Sequence, residues 1–263
     1  MIHLTGYFLG LIIGLSLGLI GGGGSILTIP VLVYFFGIDP VIAATYSLFI
    51  VGLTAIAGSI NHYRMENIDY KTVMLFGTPS VIMVFVVRKW LINLIPPVIF
   101  QSGNLVVTKP LFIMIIFSSL MLAAGVSMLK KNSYVPAKKK QSFTKLILQG
   151  CITGAVTGFI GIGGGFIIVP SLVLFAGLPM KRAIGTSLTI IIVNCIIGLV
   201  SKPHEFGSVN FVFLSVFSAI AILGILTGTW ATHFISDKKL KPIFGWLILS
   251  MSLVVFIRNI WGL

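Results

Sequence analysis

Carboxylates are almost missing from this chain. Asp39, Glu66, Asp69, Glu205 and Asp237 are the only acids in 263 residues, and none falls in the middle of a long apolar run. A proton relay built on intramembrane Asp or Glu is therefore excluded. Charge of either sign is scarce, at 9% of residues against about 25% in an average soluble domain. Cysteine is scarce too. Cys151 and Cys195 form no CxxC pair and no His/Cys cluster, so a zinc site is not expected and both thiols read as small buried hydrophobes. No Ser/His/Asp set stands out, which leaves a membrane enzyme as the weakest function class and gives no reason to expect a cofactor.

What the chain has instead is apolar length. Hydrophobic residues make up 57% of it and the mean hydropathy is +1.12. Apolar runs recur at 41–60, 70–87, 111–129, 181–200, 210–235 and 243–261. Each approaches or passes the ~20 residues that a helix needs to cross the hydrocarbon core. The fold class is an all-α integral membrane protein, multi-pass, in the plasma (inner) membrane. The apolar start lacks a basic n-region and belongs to the repeat described next, so it reads as part of the membrane domain and not as a cleaved signal.

The net charge is +13. In a soluble chain that would suggest nucleic acid. Here the positive residues lie between apolar runs and report orientation, so no nucleic-acid partner is expected. The densest run, Lys130, Lys131, Lys138, Lys139, Lys140 and Lys145, also holds Pro136. It reads as a basic cytoplasmic linker, 130–145, between a first membrane repeat, 1–129, and a second, 146–263. Contact with anionic lipid heads follows from the same charge.

The two repeats are visible in the residues. Gly18-Leu19-Ile20-Gly21-Gly22-Gly23-Gly24-Ser25 runs through to Pro30, and Gly158-Phe159-Ile160-Gly161-Ile162-Gly163-Gly164-Gly165 runs through to Pro170, 140 residues later and without a gap. Between Gly14 and Leu48, 14 of 35 positions match at this offset, including Ser47/Ser187, and the register still holds at Gly58/Gly198 and Trp90/Trp230. Helix-breaking glycines at equivalent places in two membrane halves point to a transport site.

Charge decides between two topologies. If each glycine segment dips in and returns, every half is a re-entrant helical hairpin plus three transmembrane helices, the halves are inverted, and Lys+Arg divide 13 inside to 5 outside. If each segment is one broken span, there are eight spans, the halves are parallel, and the division is 10 to 8. The positive-inside rule prefers the inverted arrangement. The second arms, about 11 residues or ~16 Å as helix, are also too short to span alone. The four-residue spacing of Gly6, Gly10, Gly14 and Gly18, echoed at Gly150, Gly154 and Gly158, lets helix backbones approach closely. It predicts packing inside the protein more than homodimerisation.

The tips carry the candidate chemistry. Gly22, Gly23, Gly24 and Ser25 in one half, and Gly163, Gly164 and Gly165 in the other, allow a sharp turn and a close ligand approach. Each tip opens a short helix whose N-terminal N–H groups attract an anion, with Pro30 and Pro170 placed in a late-starting first turn. Two such ends at the midplane make an anion site without any buried lysine or arginine. A nucleotide loop is excluded, because no Lys-Ser/Thr follows either run. Thr45, Ser47, Thr186, Ser187 and Asn194 are further substrate-binding candidates, although intramembrane hydroxyls also bond their own helix backbone. Asn61, His62, Arg64 and Lys202 are candidates for a vestibule or for coupling. His62 reads equally as a titrating group or as an interfacial loop residue.

The twin G-G-G-G-S-I-L-T-I-P-V-L and G-I-G-G-G-F-I-I-V-P-S-L segments, followed by A-A-T-Y-S-L and A-I-G-T-S-L, and S-I-N-H-Y-R after the second element, resemble the TauE/SafE family of sulfite exporters. The resemblance spans nearly the whole chain. It implies a secondary transporter of sulfur-containing anions such as sulfite, sulfoacetate or related organosulfonates, exporting them by alternating access coupled to the proton gradient. An anion channel with the same midplane site is the alternative. The partners are thus a small anionic substrate and membrane lipid, with the oligomeric state left open. The first half departs from the repeat near 96–103, where Lys109-Pro110 matches Lys241-Pro242 at an offset of 132.

Overall fold

The computed structural model describes residues 2–102, 105–129, 143–161, 163–201, 210–232 and 234–260. The first half holds α1 (Ile2–Ile20), α2 (Gly23–Tyr34) and α3 (Pro40–Arg64), then α4 (Tyr70–Thr72), which runs through a π-helical turn at Val73–Gly77 into α5 (Thr78–Lys89), and finally α6 (Lys109–Leu129). The second half holds α7 (Phe143–Ile160), α8 (Gly165–Leu174), α9 (Met180–Val200), α10 (Phe211–Ala231) and α11 (Asp237–Ile260). Seven helices among the described residues are long and apolar enough to cross a membrane. Six fall on the runs read from sequence; the seventh is α7, the 18-residue first arm of the second glycine segment. Outward-facing side chains such as Phe8, Leu148, Val212 and Leu223 are large and apolar, as a lipid-facing surface requires.

Three local features differ from the sequence expectations. The chain is not purely helical: the extra stretch of the first half forms a two-stranded antiparallel ribbon, β1 (Val98–Ser102) and β2 (Leu105–Thr108). Pro30 and Pro170 lie inside α2 and α8, beyond the first turn, because these helices begin directly at the glycines. Lys145 belongs to the first turn of α7 and not to the linker, whose residues 130–142 lie outside the described ones. The repeat is otherwise faithful down to its turns. Gly37 and Gly177 take φ of 66° and 65°, and behind them Ile38 N–H donates to Leu32 C=O and Leu178 N–H to Leu172 C=O, both at 3.1 Å. This is the wrapped helix ending that a left-handed glycine permits.

The main interfaces join one half to the other: α1 packs on α10, α5 on α7, α3 on α9, and α6 on α11. Glycine makes the first two possible. Gly14 and Gly18 of α1 lie against the backbone of α10 at Ala221, Ile225 and Gly228, and Gly150 and Gly154 of α7 lie against the backbone at Phe76 and Ser80. Any Cβ at these positions would strike a carbonyl, so the four-spaced stripe is consumed in internal packing. Its partner, however, is a helix of the opposite half and not the second arm of its own hairpin.

In the third interface, Gly58 meets Leu188 and Gly198 meets Leu48, while Ser59 Oγ lies 3.1 Å from Thr189 Oγ1. Partner numbers fall as residue numbers rise, so α3 and α9 run antiparallel. The two ends of the first glycine segment lie close together. Gly6, early in α1, is met by Phe36, just beyond α2. Lys71 Nζ lies 4.8 Å from the Phe143 ring centroid at the start of α7, and Asn67 in the same turn region packs on Gly185 near the start of α9.

Candidate functional site

The two tips meet. A Cβ on Gly165 would come within 2.6 Å of Gly22 Cα, and one on Gly22 would collide with the Gly165 carbonyl. Gly22 is the N-cap of α2 and Gly164, at φ 84°, is the N-cap of α8. Gly23 and Ser25 contribute backbone to the first turn of α2, and Gly24 packs against the Ile13 carbonyl and Leu17. The second tip is the more contorted. Gly161, Gly163 and Gly164 all have positive φ, against Gly21 alone in the first tip. L-residues with a side chain avoid this region at a cost of about 1–2 kcal/mol each.

The surroundings of the tips differ in polarity. The first tip lies on Ile184, Leu17 and Ile13. The second lies on α3, α5 and α9 and gathers polar groups. A Cβ on Gly161 would come within 2.8 Å of Arg88 Nη1 and 2.7 Å of Ala44, and one on Gly163 within 2.7 Å of Cys195 Sγ. Arg88, in the last turn of α5, is only 3% exposed, and its Nη2 donates to Thr45 Oγ1 at 3.5 Å. Buried arginine corrects the expectation of an anion site free of lysine and arginine. Arg88 is not a loop charge between apolar runs, since α5 continues far enough to carry it inside.

Other predicted residues divide into two groups. Ser47 is fully buried and its Oγ has no hydrogen-bond partner among the described residues. It lies between Ala44 and Val51, which meet Gly161 and Gly163, on one helix face. Asn194, also fully buried, donates from Nδ2 to Ser80 Oγ at 3.2 Å, and its Oδ1 has no partner among the described residues. These two residues and Thr45 belong to the second tip. Ser187 instead donates to its own helix at Ile184 C=O, 2.8 Å away. Thr186 accepts the Asp69 N–H at 3.0 Å and so pins the turn after α3.

Of the vestibule candidates, Asn61, His62 and Arg64 sit at the opposite end of α3. Asn61 Nδ2 donates to Thr229 Oγ1 at 3.0 Å, and Ser59 and Thr189 share a hydrogen bond at 3.1 Å. His62 is not a loop residue: it is fully buried in the last turn of α3, against Gly185. Arg64 is exposed, and Lys202 lies outside the described residues. Among the described residues no group of three metal-ligating side chains occurs. Sequence reasoning missed Arg88, Ser80 and Thr229. A signal for the first two existed: Ser80, Val84 and Arg88 recur every fourth residue and, with Val87, are the buried face of α5.

A bundle of this kind, with apolar spans around two facing glycine tips, is a multi-pass protein of the plasma membrane built as transporters are. A model of the TauE/SafE sulfite exporter family matches residues 7–255, and the chain belongs to that family. It is 30% identical over 257 residues to a "Probable membrane transporter protein" of Xylella fastidiosa, covering 94% of this chain and 92% of the relative. A protein of the same description from Methanocaldococcus jannaschii is 30% identical over 262 residues, covering 94% and 93%. One from Bacillus subtilis is 27% identical over 244 residues, covering 84% and 82%. No solved structure matches.

Proposed function

We propose that this chain is a secondary transporter of small sulfur-containing anions, such as sulfite, sulfoacetate or related organosulfonates. It exports them by alternating access coupled to the proton gradient and is not an enzyme. Family membership supports the transport of sulfur anions. The observation that carries the mechanism is the approach of Gly22 to Gly165, which joins two equivalent helix-opening tips between α3 and α9.

Two inverted repeats, on either side of the basic linker, are supported by an exchange of contacts. The pairs Gly58/Leu188 and Leu48/Gly198 convert into one another at the 140-residue offset. Equivalent helices that pair antiparallel are related by an axis across them, hence in the membrane plane. Re-entrance of each glycine segment is supported by Gly6 lying against Phe36, and by Phe143 and Gly185 both lying near the 62–71 turn region. In this reading the substrate-binding groups are the tip backbones with Thr45, Ser47 and Asn194. Ser187 and Thr186 brace the frame, while His62 is the coupling group.

Counterflow in liposomes tests the function. Labelled sulfite should exchange against internal unlabelled sulfite, saturably and faster with a proton gradient than without. Flux that neither saturates nor shows counterflow would favour a channel, and no flux of any sulfur anion would sink the proposal.

A further inference from the structure

The repeat places equivalent residues at both ends of the molecule, yet the two ends are not closed alike. In the third span of each half the offset becomes 141 residues, from N-cap Asp69 to N-cap Asn210. The backbone N–H groups of these caps donate to the equivalent hydroxyls of Thr186 and Tyr46, at 3.0 and 2.9 Å. Gly154 and Gly158 lie on Ser80 and Val84, as Gly14 and Gly18 lie on Ala221 and Ile225. Arg88 therefore stands where Thr229 does. Ser201 stands where Asn61 does, at the offset of 140 that relates α3 to α9.

At the His62 end this set of residues is closed. Gly58 is met by Ile225, and one turn on Asn61 Nδ2 donates to Thr229 Oγ1 at 3.0 Å. At the Arg88 end the register differs. The α5 group nearest to Gly198 is not Val84, the counterpart of Ile225, but Arg88, one turn further along, with its Cδ 3.6 Å from where a Cβ would stand. The guanidinium is turned to Thr45 and Gly161, and beside it a partly open cleft has room for about 20 Å³ of water. Equivalent interfaces that differ by one helical turn are what a ratchet between two states leaves behind.

We propose that Arg88 is the gating residue of its own end: in the alternate conformer α5 slips one turn along α9, Val84 comes onto Gly198, and Arg88 donates to Ser201 Oγ. The assignment rests on the transporter reading and names the contact that closes the second end. Ser201 can receive the guanidinium. It caps α9, and its hydroxyl gives its proton to the Ile197 carbonyl while keeping lone pairs to accept with. Arg88 donates to Thr45 Oγ1 in the present conformer, at a long 3.5 Å. The slip exchanges one hydroxyl for another, so the buried charge keeps a hydroxyl partner in both states. The two closures differ in strength, because Asn61 on Thr229 is a neutral pair and Arg88 on Ser201 is charge-assisted.

The test uses the full chain in liposomes, with Cys151 and Cys195 replaced by Ala. A membrane-permeant maleimide reads Ser59→Cys at one end and, in a separate protein, Val41→Cys at the other. Ser201→Ala removes a bond that only the alternate conformer makes. It should slow labelling of Ser59→Cys about tenfold without slowing Val41→Cys. Ser201→Thr keeps the hydroxyl and should match the parent. Thr229→Val should act in the opposite sense, and combined with Ser201→Ala it should return the Ser59→Cys rate toward the parent value. Arg88→Cys with Ser201→Cys should form a disulfide on oxidation that stops sulfite counterflow, and a reductant should restore it. An unchanged or faster Ser59→Cys rate in Ser201→Ala, or no disulfide in a protein that exchanges sulfite, overturns the assignment and leaves the transporter reading standing. Faster labelling at both reporters would mark Ser201 as merely structural and overturn it as well. Absence of sulfite counterflow in the parent overturns the transporter reading itself. Should Arg88→Cys fail to fold, the Ser201 series still decides.

Discussion

Gly22 and Gly165 touch through their backbones, with no side chain between them. Each belongs to the glycine tip of a different half, so the contact is where the two halves of the duplication meet. Gly22→Ala should therefore cost about 1–3 kcal/mol by overpacking, with transport lost in proportion. Gly37→Ala is the comparison: its φ is 66° but nothing lies within 4 Å of its would-be Cβ, so only backbone strain of about 1–2 kcal/mol applies and transport should persist. Thermal unfolding in detergent, read beside counterflow, separates the two. Equal loss of transport in both variants would show that the contact does not matter.

Gly163→Val meets both obstacles. Its φ is 51° and Cys195 Sγ lies 2.7 Å from the would-be Cβ. Transport should be abolished, and adding Cys195→Ala should recover folding better than transport, since the strain at φ remains. Full transport by a folded Gly163→Val protein would remove this tip from the site.

Ser47 and Ser187 are equivalent in the repeat but not in their bonding. Ser47→Ala should weaken anion binding about tenfold, from a lost bond of roughly 1.5–3 kcal/mol to a charged group. It should leave stability unchanged or slightly raised, because the Ser47 hydroxyl has no partner among the described residues. Ser187→Ala should change affinity less than about twofold, since that hydroxyl already serves Ile184 C=O. Isothermal titration with sulfite would check both, and equal effects would mean that bonding in this state does not report the anion path.

The seam at the other end of α3 should act as a closed gate. Thr229→Val deprives Asn61 Nδ2 of its acceptor at nearly constant shape. Interhelical bonds of this kind are worth about 0.6 kcal/mol in membrane proteins, so the opened population should rise about threefold. Maleimide reaction at Ser59→Cys, in a background with Cys151 and Cys195 replaced by Ala, would report it. An unchanged rate would show that the seam is held by packing alone.

Under the inverted reading the starts of α1 and α7 lie on opposite faces of the membrane, whereas broken spans put them on the same face. Impermeant labels on Thr5→Cys and Lys145→Cys should therefore react from opposite sides of sealed vesicles. Labelling from the same side would return the topology to broken spans.

Much of the architecture was legible because it follows from properties that need no partner. Apolar length gives spans, since an unpaired backbone cannot face lipid. The 140-residue repeat gives two equivalent halves, and the glycines at 21–24 and 161–165 mark the breaks that open α2 and α8. The lack of Lys-Ser/Thr after the glycine runs argued against nucleotide loops, and the few acids outside the apolar runs argued against acid relays. The tertiary structure decided everything that depends on which helix lies beside which. It sent Gly10, Gly14 and Gly18 of the stripe to α10 instead of α2. It buried His62, and it separated Ser47 from Ser187 by giving only the latter a carbonyl. Above all it carried Arg88 inward. An arginine at the end of an apolar run looks interfacial in sequence, because snorkelling is the cheaper choice for an isolated helix. Only the packing of α5 on α7, with Thr45 and the second tip alongside, gives that charge a reason to stay buried.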